Sequence, residues 1–130
     1  MIRRVPARSP YAELLAYSRV VAIGDEAWVS GCAPLDADGT LIGPDLPGLQ
    51  AGACINHIRE ALEEAGFRLS DVVRLRIHVK SFEHIDDIAR AQREAFKGID
   101  PACSVIAANF VTPDVLVYMD ADAKRARAQP

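Results

Sequence analysis

Apolar and polar residues alternate most clearly between Val73 and Lys80, where Val73, Leu75, Ile77 and Val79 interleave with Arg74, Arg76, His78 and Lys80. A period of two predicts a strand with one apolar face and one charged face. Upstream, Ser18 to Ile23 is rich in β-branched residues, Gly24-Asp25 supplies a turn, and Ala27-Trp28-Val29-Ser30 reads as the returning strand, with Trp28 in the core. The turn Asp36-Ala37-Asp38-Gly39 lacks the remaining ligands and closing glutamate of a calcium loop, and Thr40-Leu41-Ile42 after it reads as a short strand. Ala51, Ile55, Ile58, Leu62 and Ala65 recur at helical spacing and predict a helix over Gly48 to Ala65, stopped by Gly66. Ile85, Ile88, Ala89, Ala95 and Phe96 predict a second helix ending near Gly98. Cys103 to Asn109 and Val115 to Asp122 read as two strands joined at Thr112-Pro113-Asp114 into a final hairpin.

The predicted order is β-β-(β)-α-β-α-β-β, an α/β (α+β) arrangement with five or six strands. Two helices have area enough for one face of such a sheet, so the other face meets solvent or another subunit. The apolar character of the last two strands favours a subunit. Met1 to Pro10 and Lys124 to Pro130 read as loose tails whose Lys124, Arg125 and Arg127 are solubilising.

A chain of 130 residues is expected to form a single domain over 1–130, with its core between Tyr17 and Ala123. The net charge of -3 gives no global attraction to nucleic acid. The 3 cysteines, Cys32, Cys54 and Cys103, are odd in number and show no metal-ligand spacing, so reduced thiols in a cytoplasmic protein are expected. No apolar run approaches the roughly 20 residues of a membrane helix, and no apolar segment follows the basic N-terminus as in a secretory signal. His57, His78 and His84 form no pair at catalytic or ligand spacing and are read as surface or satisfied polar groups.

Several short segments together resemble the Rid (YjgF) family. They are Tyr17 to Gly24, Trp28-Val29-Ser30-Gly31-Cys32-Ala33-Pro34 with its S-G-x-x-P pattern, and Gln50 with the helix to Gly66. Asp71-Val72-Val73 with Val79, Glu94-Ala95-Phe96, Pro101-Ala102-x-Ser104-Val105 and Asp120-Ala121 continue the likeness. The resemblance implies a chorismate-mutase-like fold with a mixed sheet, assembled as a homotrimer with clefts between subunits. It further implies hydrolysis of enamines and imines such as 2-aminoacrylate, with no metal and no organic cofactor. By the same resemblance Tyr17, Ser30, Gly31, Cys32, Arg90 and Val105 are substrate-binding candidates. Cys103 stands where archetypal members carry an arginine that grips a carboxylate, Tyr118 where they carry a water-holding glutamate, and Arg90 where an asparagine is frequent.

Those departures bear on chemistry. An arginine fork meets a carboxylate through two charge-assisted hydrogen bonds, whereas a thiol offers one weak donor. Efficient turnover of 2-aminoacrylate is therefore not expected: either the substrate lacks that carboxylate, or Arg90 or Arg19 holds it. Cys103 is a candidate nucleophile or general acid, activated by Arg90, or else a small filler that enlarges the cleft; the absence of an adjacent histidine favours the filler. Tyr118 is a candidate for orienting water or donating a proton. Asp120, two residues on and so on the same strand face, is a candidate base or a solvent-facing carboxylate. The leading expectation is a hydrolase or tautomerase of an imine, enamine or related carbonyl compound. A non-catalytic small-molecule-binding homologue is the second reading, and RNA processing on the Arg74/Arg76/Lys80 row is the third.

Overall fold

The computed structural model describes residues 1–126. Its elements are β1 (Ile2–Pro6), α1 (Tyr11–Leu15), β2 (Ser18–Ile23), β3 (Glu26–Cys32), α2 (Pro47–Glu64), β4 (Val72–Val79), α3 (Ile85–Phe96), β5 (Ala102–Ala107) and β6 (Val117–Lys124). The strands form a 6-stranded sheet in the order β1-β2-β3-β6-β4-β5. β4 and β5 run parallel and every other neighbouring pair is antiparallel. The fold is thus the mixed sheet with helices that the sequence pattern predicts.

Helix α2 starts with Pro47 in its first turn, where a missing N–H costs nothing. It gives way to Gly66 at φ +85°, a backbone conformation that glycine adopts without strain. Its stripe of Ala51, Ile55, Ile58 and Leu62 is buried against β3 and β6, and α3 packs on α2 through a face that includes Ile88. The strands answer with period two: Val117, Met119, Ala121 and Ala123 of β6 and Leu75, Ile77 and Val79 of β4 are buried beneath the helices. Tyr118, Asp120 and Asp122 share the opposite face with Arg74, Arg76 and His78.

Five expectations are corrected. The N-terminal segment is a paired strand, β1, because Arg3, Arg4 and Val5 extend the β2 ladder antiparallel. At the other end Lys124 closes β6, and Arg125 bonds to the carbonyls of Gly24 and Gly66 and lies 4.2 Å above the Phe67 ring; Arg127 lies outside the described residues. Leu41 makes one bridge to Leu35 in place of a strand. The last two strands form no hairpin, since β4 lies between β5 and β6. The alternation in β4 also begins one residue early. A register shift between Val72 and Arg74 buries Val72 and leaves Val73 49% exposed.

Gln50, fully buried, ties the helical layer to the sheet. Its amide nitrogen donates to the carbonyls of Gly43 (3.1 Å) and Asp114 (3.2 Å), and its amide oxygen accepts from the Leu116 N–H at 2.8 Å. The side chain satisfies backbone groups of the loop before α2 and of the segment leading into β6. Gln50→Leu leaves these groups without a partner and is expected to lower the unfolding free energy by about 2–3 kcal/mol in urea denaturation. A change below about 0.5 kcal/mol would show that water replaces the amide.

Candidate functional site

Strand β3 breaks its register against β6 between Val29, opposite Ala121, and Cys32, opposite Met119. Ser30 and Gly31 therefore face the single residue Asp120, which makes the pair a β-bulge. Ser30 pins the bulge by donating to the Ser18 carbonyl at 2.6 Å. The phenol of Tyr118 lies directly on Gly31. A Cβ at that position would fall 1.8 Å from the Tyr118 Oη, so only glycine leaves the ring room. His78 meets the ring edge-on at 5.6 Å and Phe110 flanks it at 6.0 Å.

Tyr17, Ser30, Gly31, Cys32 and Tyr118 thus gather at one end of the β3–β6 seam. Burial raises the Tyr118 phenol above its ordinary value, and the nearby Cys32, Tyr17 and Asp120 push the same way. The hydroxyl consequently keeps its proton through the neutral range and is a hydrogen-bond donor there. Cys32 is buried, bonds to the Ser30 carbonyl at 3.4 Å, and is pushed up to about 12, chiefly by burial. It is a packing thiol.

Asp120 is held more firmly than a free strand carboxylate. Its Oδ1 accepts from Arg76 at 2.7 Å, while its Oδ2 faces His78 Nε2 at 4.0 Å. Arg76 also reaches Asp122 at 3.4 Å, and the hydrogen bond to Asp120 is the largest influence holding its guanidinium protonated. His78 Nδ1 lies 3.3 Å from the Tyr118 carbonyl. The sequence reading missed His78 as a neighbour of the site. Its only signal there was a place on the charged face of β4; its pairing with Tyr118 comes from β4 and β6 being adjacent.

The other candidates lie elsewhere in the chain. Cys103 and Val105 sit on the edge strand β5, in register with Leu75 and Ile77, so β4 and β6 separate them from Cys32. Cys32 is therefore not beside Cys103 within one chain. Burial raises the Cys103 thiol, and the cation opposing that rise is Arg74. Arg90, expected to activate it, is 67% exposed on α3 and 3.9 Å from Asp87. Arg19 is committed to Glu64 (2.9 Å), Glu60 (3.7 Å) and the His57 carbonyl. Trp28, expected in the core, is 41% exposed on the face away from the helices, because Ala27 and Val29 take the buried positions. His57 contacts the Leu35 carbonyl at 2.7 Å, and His84 pairs with Glu83 at 3.3 Å. Among the described residues no group of three His, Cys, Asp or Glu side chains is placed to hold a metal ion, and no helix is long and apolar enough to cross a membrane.

A mixed sheet roofed on one face by two helices, with a Ser-Gly bulge under a phenol, defines the class, and comparison with known proteins supplies the family. Residues 7–125 match the family described as endoribonuclease L-PSP. An uncharacterized protein of Streptomyces coelicolor is 30% identical over 125 residues, covering 95% of this chain and 92% of that protein. A RutC family protein of Pyrococcus abyssi is 30% identical over 106 residues, 81% of this chain and 83% of that one. A solved structure from Mycobacterium tuberculosis, described as a member of the YjgF/YER057c/UK114 family, superposes with a TM-score of 0.86 at 29% identity, covering 96% of this chain and all of that one. The chain belongs to the Rid/YjgF family.

Two outcomes are expected from this geometry. Gly31→Ala forces the Tyr118 ring off the bulge and costs about 1–3 kcal/mol of stability. The loss is much smaller when Tyr118→Ala is already present, so a double-mutant cycle with additive values would contradict the contact. In alkylation with iodoacetamide against pH, Cys103 reacts with a midpoint above the ordinary thiol value of about 8.5, because burial disfavours the thiolate. A midpoint below about 8 would reveal an activated thiol.

Proposed function

We propose that this protein is a small-molecule enzyme, one Rid-type domain that hydrolyses or tautomerises an imine, enamine or related carbonyl compound in a cleft between copies of a homotrimer. The observation that carries the reading is the protonated Tyr118 phenol seated on the Ser30–Gly31 bulge, with Asp120 and His78 alongside. Imine hydrolysis needs a proton delivered to nitrogen, water added to carbon, and a second proton transfer before ammonia leaves. The Tyr118 hydroxyl is the donor toward the substrate nitrogen, and the bulge backbone orients the substrate. Asp120 receives the proton of the incoming water, with Arg76 steadying the carboxylate. Neither a metal nor an organic cofactor enters this scheme.

The location between copies is supported by the separation of the half-sites. Cys103 and Val105 lie on the edge strand while Tyr17, Gly31, Cys32 and Tyr118 lie across β4, so one chain holds the two sets apart. The sheet face that carries Trp28, Ile23 and Ile106 is uncovered by helices and is apolar enough to receive another subunit. Cys103 serves as a small filler in this cleft. RNA processing has less support: Arg76 is matched by Asp120 and Asp122, which leaves the presumed basic row with Arg74 and Lys80.

The test is an ammonia-release assay on imines generated in solution, with the assembly mass read by light scattering. A trimer is expected that accelerates hydrolysis of at least one imine, with Tyr118→Phe reducing the rate by about 10²-fold or more, while 2-aminoacrylate stays near its spontaneous rate. A trimer that binds imine analogues yet accelerates none would establish the non-catalytic binding reading instead. A monomer, or rapid turnover of 2-aminoacrylate, would contradict the proposal.

A further inference from the structure

His78 shares the sheet face of Tyr118, and both of its ring nitrogens meet acceptors. Nδ1 lies 3.3 Å from the Tyr118 carbonyl. A carbonyl oxygen only accepts, so this contact is a hydrogen bond when Nδ1 carries the proton. That tautomer turns the Nε2 lone pair toward Asp120 Oδ2, 4.0 Å away, and a closure of about 1 Å makes the contact a hydrogen bond. The two side chains are 21% and 22% exposed, so solvent screens them only in part. Arg76, two residues back on the same strand face, donates to the other carboxylate oxygen at 2.7 Å and reaches Asp122 at 3.4 Å. From β6 the Tyr118 ring stands edge-on to the imidazole; from β5 Ile106, in register with His78, brings no charge.

We propose that His78 and Asp120 work as one proton-accepting pair, in which the carboxylate takes the proton of the attacking water and the imidazole stores it. The storage step rests on the functional reading above, whereas the pairing is a property of the resting protein. As the water oxygen bonds to the imine carbon, its O–H bond breaks and the proton passes to Oδ2 and on to Nε2. Tyr118 has meanwhile protonated the imine nitrogen and become a phenolate. The imidazolium now has a donor for each acceptor beside it, the Tyr118 carbonyl and the Asp120 carboxylate. When the carbinolamine collapses, the stored proton returns through Asp120 to the departing nitrogen, which leaves as ammonia. The carbinol hydroxyl gives its proton to the phenolate, so every group ends as it began. Imidazole suits the storage because it is the side chain that takes and releases a proton nearest neutrality. His78 is thus a positioning residue that acts through Asp120.

Two measurements test the pair. NMR of the histidine side chains in the full chain reads it without turnover. The neutral ring of His78 is expected in the Nδ1–H tautomer, and Asp120→Asn is expected to lower its titration midpoint, because the carboxylate favours the charged ring. An Nε2–H tautomer, or a midpoint unmoved by Asp120→Asn, overturns the pairing. The second measurement is the pH profile of imine hydrolysis. His78→Asn keeps an amide donor for the Tyr118 carbonyl and has no basic nitrogen. It is expected to lower kcat at least about tenfold at pH 7 with KM within about twofold. The acid limb of its kcat profile moves to lower pH, into the range where carboxylates titrate, since Asp120 then accepts the proton alone. Added imidazole raises kcat of His78→Ala. Wild-type kcat and an unmoved profile in His78→Asn overturn the storage role, even where Tyr118→Phe is inactive. If His78→Asn does not fold, imidazole rescue of His78→Ala and the NMR of Asp120→Asn decide. If wild type hydrolyses no imine, the functional reading falls and the storage step with it, while the tautomer and midpoint still decide the pairing.

Discussion

Two helices have area to roof only one face of a six-stranded sheet, and the organisation of this protein follows from that constraint. The period-two pattern in β4 and β6 sends Leu75, Ile77, Met119 and Ala121 into the core on the helix side, which commits Arg76, His78, Tyr118 and Asp120 to the other side. That second face carries titratable side chains in half-buried positions, where charges need partners. Arg76 finds Asp120 and Asp122, His78 finds Asp120 and the Tyr118 carbonyl, and among the described residues Arg74 finds a hydroxyl alone. The face is also where Trp28 emerges, so polar chemistry and an apolar surface for a neighbour share the same ground.

The bulge at Ser30-Gly31 is what makes this face a candidate site. A regular ladder would set a side chain opposite Asp120; the extra residue instead leaves backbone there and room for a phenol. Tyr118 and Gly31 therefore act as a matched pair. The residue at 118 differs from the glutamate suggested by family resemblance, and the proposed chemistry differs with it. A phenol whose proton is retained by burial is a donor, and the carboxylate on this strand face moves two residues on, to Asp120 under the control of Arg76.

The fold was legible because its information is local. The stripe from Ala51 to Leu62 and the alternation from Leu75 to Val79 each specify an element and its buried face. Strand β1 was not legible, since Ile2-Arg3-Arg4-Val5-Pro6 has the composition of a tail and gains its structure by adding to β2. Val73 was misassigned because a single-residue register shift is invisible in an alternating run. The candidate site divided along the same line. The contact of Tyr118 with Gly31 depended on a bulge that no residue pattern announces, and the cation near Cys103 depended on which strand lies beside β5. Arg90 was suggested by sequence position, and Arg74 was supplied by the sheet order.

The central claim is that one cleft is assembled from the Tyr118–Gly31 end of one copy and the Cys103–Val105 edge of another. A crystal structure with a bound, stable analogue of an imine or enamine tests it most directly. The account predicts a trimer with the ligand between subunits, its nitrogen or oxygen within hydrogen-bond distance of the Tyr118 hydroxyl and its far side against the neighbour's edge strand. A ligand seated wholly within one chain, or a trimer whose Tyr118 phenol makes no contact with the ligand, would contradict it.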